Sequence, residues 1–220
     1  MIDLHSHTLL SDGQLGIGEL VRRAEVAGYR GLVISDHVDG SVMDWVVPRV
    51  VKEAAHLSEA TGLWIVPGCE LTHCRPEDIA SMVKEARRLG AKVVTVHGET
   101  LAEPVIPGTN RAAIEAGADL LAHPGLIGAE DAKLAAGRGV MLEISGRKGH
   151  CLSNGHVART AREHGAKVYF GSDAHAPEDL VGRAEAERIC LGAGLSTKEV
   201  SELFERAERV VREAVKKGAR

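Results

Sequence analysis

The chain has 220 residues, 44% of them hydrophobic, and a formal net charge of −4 at pH 7. That length suits a single domain with a sizeable core, and the acidic balance argues against a surface built to bind nucleic acid. No apolar run approaches the roughly 20 residues of a membrane-spanning helix. We expect a cytoplasmic protein with four reduced cysteines and, because the chain opens directly on a strand-like segment, without a signal peptide.

The first thirteen residues carry a pattern typical of metal ligation. Ile2 and Leu4 alternate with polar residues, which predicts a short strand that ends in two histidines. His5 and His7 are two residues apart on extended backbone, so their side chains point to the same side and can grip one metal ion. Asp12, in a Ser-Asp-Gly turn, can return an oxygen ligand to the same place. A satisfied polar histidine at a strand end is the competing interpretation, and the pattern as a whole favours ligation.

Short apolar runs then alternate with helical stretches along the rest of the chain. We predict seven strands, at residues 2–4, 30–35, 63–67, 92–96, 120–122, 140–144 and 167–171. Helices are predicted at residues 18–28, 44–61, 76–89, 110–116, 129–136, 154–164, from 177 onward, and 197–217. Each predicted strand is followed directly by polar residues.

Seven strand-helix units in a row, without a linker, predict one domain over residues 1–220 and a parallel sheet. In a closed α/β barrel the carboxyl ends of the strands converge on one face, where such barrels carry their chemistry. We therefore favour an α/β fold of the distorted (βα)7, TIM-like barrel type, with a metal site at the C-terminal ends of the strands. A doubly wound open sheet is the alternative.

Six of the eleven histidines fall at predicted strand ends, together with three carboxylates: His5, His7, His37, His97, His123, His175, Asp12, Glu70 and Asp173. A zinc site uses about three or four protein ligands, so this set is too large for one ion. Two or three divalent ions bridged by a carboxylate fit the count. Nitrogen and oxygen ligands favour zinc, manganese or iron over magnesium.

Other candidate ligands are weaker. Cys69 and Cys74 flank Glu70 and could be soft ligands, although small core residues are the favoured interpretation. His73 and His150 also follow predicted strands and are candidates for contacts to the ligands or the substrate. The remaining histidines lie on predicted helices and are interpreted as solvated or packed residues.

The motifs together resemble those of the PHP family, named after polymerase and histidinol phosphatase. The resemblance runs from residue 2 to about residue 183, in the family's order. Its motifs are His5-Ser-His-Thr-Leu-Leu-Ser-Asp-Gly, Ser35-Asp-His, Pro67-Gly-Cys-Glu, His97-Gly-Glu, Ala122-His-Pro-Gly and Gly171-Ser-Asp-Ala-His. It implies a distorted (βα)7 barrel with a trinuclear metal centre that hydrolyses phosphate esters.

The resemblance also implies a role for each ligand. The first metal would be held by His5, His7, Glu70 and Asp173. Glu70 would bridge to a second metal held by His97 and His123, and the third would be held by Asp12, His37 and His175. Some members of the family have a histidine where Asp12 stands, which leaves the occupancy and metal preference of the third site open.

The implied reaction is hydrolysis of a small phosphomonoester, such as histidinol phosphate or a nucleotide, by a hydroxide that two metals share. Glu70 and Asp173 would be catalytic through the metals they hold. Arg147 and Lys148 are candidates to clamp the phosphate, with Arg183 as a second clamp, and for each the alternative is an exposed surface charge. Candidates to protonate the leaving group are His150 and Asp36, although Asp36 would alternatively only orient a ligand histidine.

Two other functions remain open. One is a metal-dependent amide or cyclic-amide hydrolase, disfavoured because such sites commonly use a modified lysine as the metal bridge, where this chain has Glu70. The other is a non-catalytic metal-binding module. The expected partner is a small phosphorylated substrate, with no nucleic acid and no membrane. The oligomeric state is open, since the last helix is suited equally to covering a barrel and to forming a dimer face.

Overall fold

A computed structural model of the chain describes residues 1–216. Its strands are β1 (Ile2–Asp3), β2 (Gly31–Ile34), β3 (His37–Val38), β4 (Trp64–Leu71), β5 (Val93–His97), β6 (Leu120–Ala122), β7 (Met141–Ser145) and β8 (Val168–Gly171). Its α-helices are α1 (Ile17–Val26), α2 (Met43–Thr61), α3 (Pro76–Arg88), α4 (Thr109–Glu115), α5 (Ala129–Arg138), α6 (Asn154–His164), α7 (Arg183–Gly192) and α8 (Thr197–Lys216). Lys217, predicted as the end of the last helix, lies outside the described residues.

The strands form one parallel sheet whose order follows the chain, β1-β2-β4-β5-β6-β7-β8. β3 follows β2 after a break at residues 35–36, and both strands pair with β4. The two edges of the sheet meet, because Ser6 forms a parallel bridge with Ala174 and the N–H of Asp173 donates to the carbonyl of His5 at 3.0 Å. The prediction of an α/β fold with a distorted seven-stranded, TIM-like barrel is confirmed.

β4 is longer than the sequence predicted. We expected the strand to end at residue 67, but it continues to Leu71 and therefore includes Glu70. Gly68 permits this, because a Cβ there would lie only 2.8 Å from both Val33 Cγ1 and the carbonyl oxygen of Val93. A glycine at this position lets β2, β4 and β5 approach closely, so β4 can continue to the mouth of the barrel.

The helix predicted from Pro177 is also different. It is a single 3-10 turn, Pro177–Asp179, and α7 begins only at residue 183. The reason is local, since the carboxylate of Asp179 accepts hydrogen bonds from the N–H groups of His175 and Ala176 and closes a turn instead of starting a helix. This turn fixes the backbone directly after the last strand.

The helix α8 closes the amino-terminal end of the barrel. Its apolar face packs on residues at the beginnings of the strands to form one buried cluster: Ile2, Leu4, Val33, Val66, Val93, Leu120, Met141, Tyr169, Ala207, Val211 and Ala214. The larger apolar cluster includes residues of the sheet and of the surrounding helices. The structure therefore shows the last helix covering the barrel, which is one of the two roles considered for it. The carboxyl-terminal mouth at the opposite end is left to polar side chains. Within residues 1–216, no helix has the length and hydrophobicity to cross a membrane.

Candidate metal centre

The structure brings all nine ligands predicted from the sequence together at the carboxyl-terminal mouth of the barrel. Their donor atoms form groups in which all atoms lie within 4.8 Å of one another. The groups are His5–His7–Glu70, His5–His123–Asp173, His7–Asp12–His37–His175 and His97–His123–His150. Because members are shared between groups, the donors form one continuous cluster. His150 joins it as a tenth candidate ligand.

Glu70, near the end of β4, lies at the centre of this cluster. Its Oε2 is 3.3 Å from His5 Nε2 and 2.9 Å from His37 Nδ1, and its Oε1 is 3.6 Å from His123 Nε2. Burial alone would raise the pKa of Glu70, but the imidazoles of His5 and His37 hold it well below its usual value. An ionised carboxylate whose two oxygens face different groups of imidazoles is the arrangement that a bridging ligand needs.

The group that contains Asp12 lies at the open rim. The Oδ1 atom of Asp12 is 3.1 Å from His175 Nε2 and 3.5 Å from His37 Nε2, and 57% of the Asp12 side chain is exposed. Although burial acts in the opposite direction, hydrogen bonding to His175 and the charge of His37 lower the pKa of Asp12 to about 2. This group is therefore the part of the cluster that is most open to solvent.

Several donor atoms in the cluster are buried without a hydrogen-bond partner. They include both ring nitrogens of His7, the Nε2 atom of His5 and the Nδ1 atom of His123. An unpaired buried polar atom costs about 1–3 kcal/mol, and native proteins rarely leave one. Divalent ions would pair one nitrogen of each of these imidazoles, and the imidazole and carboxylate donors suit zinc, manganese or iron. The residues present therefore fit bound divalent metal ions.

Strained backbone is concentrated at the same mouth. Among the described residues, His73, His123 and Asp173 are those other than glycine with positive φ, at 52°, 24° and 54°. Each such conformation costs on the order of 1–3 kcal/mol and persists only where neighbouring structure holds it. The hydrogen bonds from the N–H of His123 to Glu143 and from the N–H of Asp173 to the carbonyl of His5 hold two of them. Backbone strain of this kind clusters at functional sites.

Glu143 is a residue of the site that the sequence reasoning missed. It is fully buried on β7, with Oε1 2.6 Å from His5 Nδ1 and Oε2 accepting the N–H of His123 at 2.8 Å. An ionised carboxylate can only accept, so Nδ1 of His5 carries a proton, and in the neutral imidazole Nε2 is free toward Glu70. The signal in the sequence was an acidic residue inside the apolar run 140–144.

Glu103 was missed as well. It lies in the loop between β5 and α4, and its oxygens are 3.2 Å from His97 Nε2, 3.3 Å from His73 Nε2 and 3.4 Å from His150 Nε2. The hydrogen bond with His97 lowers the pKa of Glu103 to about 2. The loop that carries this acid therefore folds over the cluster. An isolated acidic residue in a loop gives no local signal for this placement.

The structure places the two candidates for the leaving-group acid in different surroundings. His150 groups its donor atom with His97 and His123, and burial lowers its pKa to about 4, so it is neutral near pH 7 and favoured as a ligand. Asp36 is fully buried and accepts hydrogen bonds from the N–H and hydroxyl of Thr8 and the hydroxyl of Ser11. These contacts favour a role for Asp36 in holding the loop that carries Asp12, rather than in donating a proton to the substrate.

Of the three predicted phosphate clamps, the structure brings Arg147 to the cluster. Its Nε is 3.9 Å from Asp173 Oδ2 and its Nη1 donates to the Asp173 carbonyl at 3.3 Å, while Lys148 is exposed nearby. Arg183 is not brought there. Its guanidinium stacks 3.7 Å from the centre of the Phe204 ring on α8, because α7 starts late and packs on the helix that closes the opposite end.

The cysteines do not join the cluster. Within the described residues all four are free, and Cys69 and Cys74 are buried. Burial raises the pKa of Cys74 to about 12 and also raises that of Cys69, so both stay protonated and are poor ligands for an ion. Their packing supports the interpretation of both as core residues.

Metal binding is expected to release protons and to weaken as the pH falls. Burial alone would lower the pKa values of His5, His37 and His97, but neighbouring carboxylates raise them above the usual 6.5. In metal-free protein these imidazoles hold protons at pH 6.5 and must lose them to become ligands, so each displaced proton changes the apparent affinity about tenfold per pH unit. Calorimetry in buffers of different ionisation enthalpy, at about pH 6 and pH 8, would count the protons. An affinity independent of pH would contradict this expectation.

Comparison with known proteins gives one relative by sequence and several by structure. No model of a known protein family matches the chain. The uncharacterized protein MJ1295 of Methanocaldococcus jannaschii is 43% identical over 200 residues, which cover 90% of this chain and 92% of that protein.

Two solved structures share the fold. A provisionally named histidinol phosphatase, hisK, from Listeria monocytogenes has a TM-score of 0.60 and 15% identity, over 85% of this chain and 99% of that one. A prolidase complexed with N-methylphosphonate-L-proline has a TM-score of 0.60 and 16% identity, over 96% of this chain and 74% of that one. At these identities the likeness concerns the fold alone.

Proposed function

This chain belongs to the same family as the uncharacterized protein MJ1295 of Methanocaldococcus jannaschii, and we propose that it is a metal-dependent phosphoesterase of the PHP type that hydrolyses a small phosphomonoester. The observation that carries the proposal is the cluster of ten candidate ligands around one ionised carboxylate, Glu70. Buried donor atoms without partners and an adjacent guanidinium, Arg147, support it.

We assign two to three divalent ions, zinc, manganese or iron, to this cluster. His5, His7, Glu70 and Asp173 would hold the first. Glu70 would bridge to the second, held by His97 and His123, and the grouping of donor atoms adds His150 to that pair. Asp12, His37 and His175 would hold the third, at the exposed rim.

Each part of the mouth then has a chemical role. Bound divalent ions supply a water of lowered pKa as the nucleophile and neutralise charge on the phosphoryl oxygens. Arg147 can donate two hydrogen bonds to a phosphate dianion, which fits a guanidinium better than an ammonium. Glu143 keeps the protonated nitrogen of His5 turned away from the centre, and Asp36 holds the loop that presents Asp12.

An amide or cyclic-amide hydrolase is the second candidate. The fold shared with a prolidase favours it, since two-metal centres serve aminopeptidases as well as phosphatases. Against it, Glu70 occupies the central position of the cluster, where such sites commonly use a modified lysine. The guanidinium of Arg147 beside the cluster also favours an anionic substrate over a neutral amide.

The deciding experiment measures metal content and activity on the same preparation. The protein would be loaded with manganese or zinc and tested on a panel of phosphomonoesters, including histidinol phosphate and nucleotides, and on a panel of dipeptides and cyclic amides. Phosphate release that requires metal supports the proposal. Cleavage of an amide without phosphate release would replace the phosphoesterase proposal by the second candidate. If a metal-loaded protein shows neither activity, the remaining interpretation is a metal-binding module.

Arg147→Ala is expected to lower kcat/KM for a phosphomonoester by about 10- to 100-fold, because a hydrogen bond to a charged group contributes about 1.5–3 kcal/mol. The adjacent Lys148→Ala is the matched control. Lys148 is exposed and should change kcat/KM less than about threefold. Steady-state kinetics on both variants, at equal metal content, checks the difference. Equal losses in the two variants would contradict the assignment of Arg147 as the clamp.

A further inference from the structure

A second space opens directly beside the candidate metal centre. It is a cavity of about 550 Å³, within the roughly 300–1,000 Å³ of small-molecule sites. On the side of the centre it is lined by Asp12, His37 and His73. A molecule whose reacting group sits at the exposed rim of the cluster would therefore place the rest of its structure in this cavity.

The wall on the other side is apolar. It is formed by Leu10 and by Val42, Trp45 and Val46 at the beginning of α2. Trp45 and Val42 are 48% and 39% exposed as whole residues, so the core does not cover them where they line the cavity. Large exposed apolar side chains that face a cavity mark the part of a binding site that buries apolar surface.

Trp45 is held in place for such a role. The guanidinium of Arg49, one helical turn later on α2, stacks 4.3 Å from the centre of its ring. This contact restricts rotation of the indole before any ligand arrives, which lowers the entropy cost of binding. The ring is therefore a preorganised apolar surface.

The charges around the cavity are of one sign apart from the histidines. Asp12, Asp39 and Glu103 line it, and among the described residues no lysine or arginine does. With Asp12 assigned to a metal ion, Asp39 and Glu103 remain to repel a second phosphate or a carboxylate, and the guanidinium of Arg49 is already engaged with the Trp45 ring. The cavity therefore disfavours polyanionic molecules.

We infer that this cavity binds the organic group of the substrate. The substrate class is then a phosphate monoester of an aromatic or apolar alcohol that bears no second anionic group. This inference rests on the proposed function for the position of the phosphate at the metal centre. The identity of the organic group depends instead on the Trp45 wall and on the acidic lining.

The experiment uses Trp45 as its own reporter. The chain has two tryptophans, and Trp64 lies at the beginning of β4, between the guanidinium groups of Arg30 and Arg212. A Trp64→Phe protein therefore carries Trp45 alone. Manganese-loaded Trp64→Phe protein would be titrated with naphthylmethylphosphonate and with methylphosphonate, neither of which can be hydrolysed as an ester. We expect the naphthyl compound to change the Trp45 emission and to bind at least about tenfold more tightly.

Activity gives a second measurement in the chain with Trp64 retained. The ratio of kcat/KM for 1-naphthyl phosphate over glycerol 3-phosphate should fall about tenfold in Trp45→Ala and recover most of its value in Trp45→Phe. The KM for the naphthyl ester should account for the loss, because the wall does not touch the phosphate. A bisphosphate of similar size should be a poor substrate in every variant.

The outcomes separate this inference from the proposed function. If no ester releases phosphate but the naphthyl compound still binds preferentially at Trp45, the cavity assignment is supported and the phosphatase proposal fails. If phosphate is released equally well from both esters and Trp45→Ala leaves the ratio unchanged, the phosphatase proposal stands and this inference is overturned. A preference for a bisphosphate or a nucleoside diphosphate would overturn it as well.

Discussion

Glu70→Gln is expected to remove at least one metal ion per chain and to lower kcat by about 10²- to 10³-fold, the scale on which loss of one electrostatic stabiliser acts. The substitution keeps the size of the side chain and removes its charge. Glu70 is fully buried, and its two oxygens face His5, His37 and His123 at 2.9–3.6 Å. An amide offers one oxygen and would turn a nitrogen donor toward one side of the cluster, where an ion or an imidazole stands.

Elemental analysis of the purified variant, together with steady-state kinetics at saturating manganese, measures both effects. Glu77→Gln is the matched control, because Glu77 is an exposed residue at the start of α3 that pairs with Arg75. It should retain wild-type metal content and activity. A Glu70→Gln protein with unchanged metal content and kcat would show that this carboxylate is not a shared ligand.

Glu143→Gln is expected to weaken metal binding about 10- to 100-fold, the effect typical of residues that orient a metal ligand. Both oxygens of Glu143 are in use, one at His5 Nδ1 and the other at the N–H of His123. Glutamine has only one acceptor, so one of these two groups loses its partner in a fully buried site. The loss also removes the restraint that keeps His5 Nε2 free of a proton.

Two measurements separate positioning from a general loss of stability. Nitrogen-15 NMR of metal-free protein, at a pH high enough for the His5 imidazole to be neutral, should show that His5 in Glu143→Gln gains the tautomer with the proton on Nε2. Thermal unfolding gives the stability of the same sample. Glu115→Gln, an exposed substitution on α4, is the control and should change neither. Metal affinity within about twofold of the wild-type value in Glu143→Gln would contradict the positioning role.

Some of the candidate site is written locally in the sequence, while other parts depend on contacts between distant segments. Eight of the nine predicted ligands could be found because they follow an apolar run, and polar residues just after the strands of a closed barrel lie at its mouth. Asp12 was found because its turn follows the first two of them. Glu143 was not predicted as a residue of the site because its partner His5 lies 138 residues away along the chain. Glu103 was not predicted because packing sets the path of its loop over the cluster. Arg183 was wrongly predicted as a phosphate clamp because its charge does not show which end of the barrel it occupies.

The sequence by itself determined the alternation of strands and helices, the closed parallel barrel and the set of side chains at its mouth. These follow from hydrophobic periodicity and from the residue types at strand ends, which are local properties. The tertiary structure decided that β4 continues through Glu70 beside Gly68, and that Glu143 fixes the orientation of His5. It also decided that His150 lies among the candidate ligands and that Trp45 lines a cavity next to the cluster. Each of these depends on distances between segments far apart in the chain, which only the closure of the barrel sets.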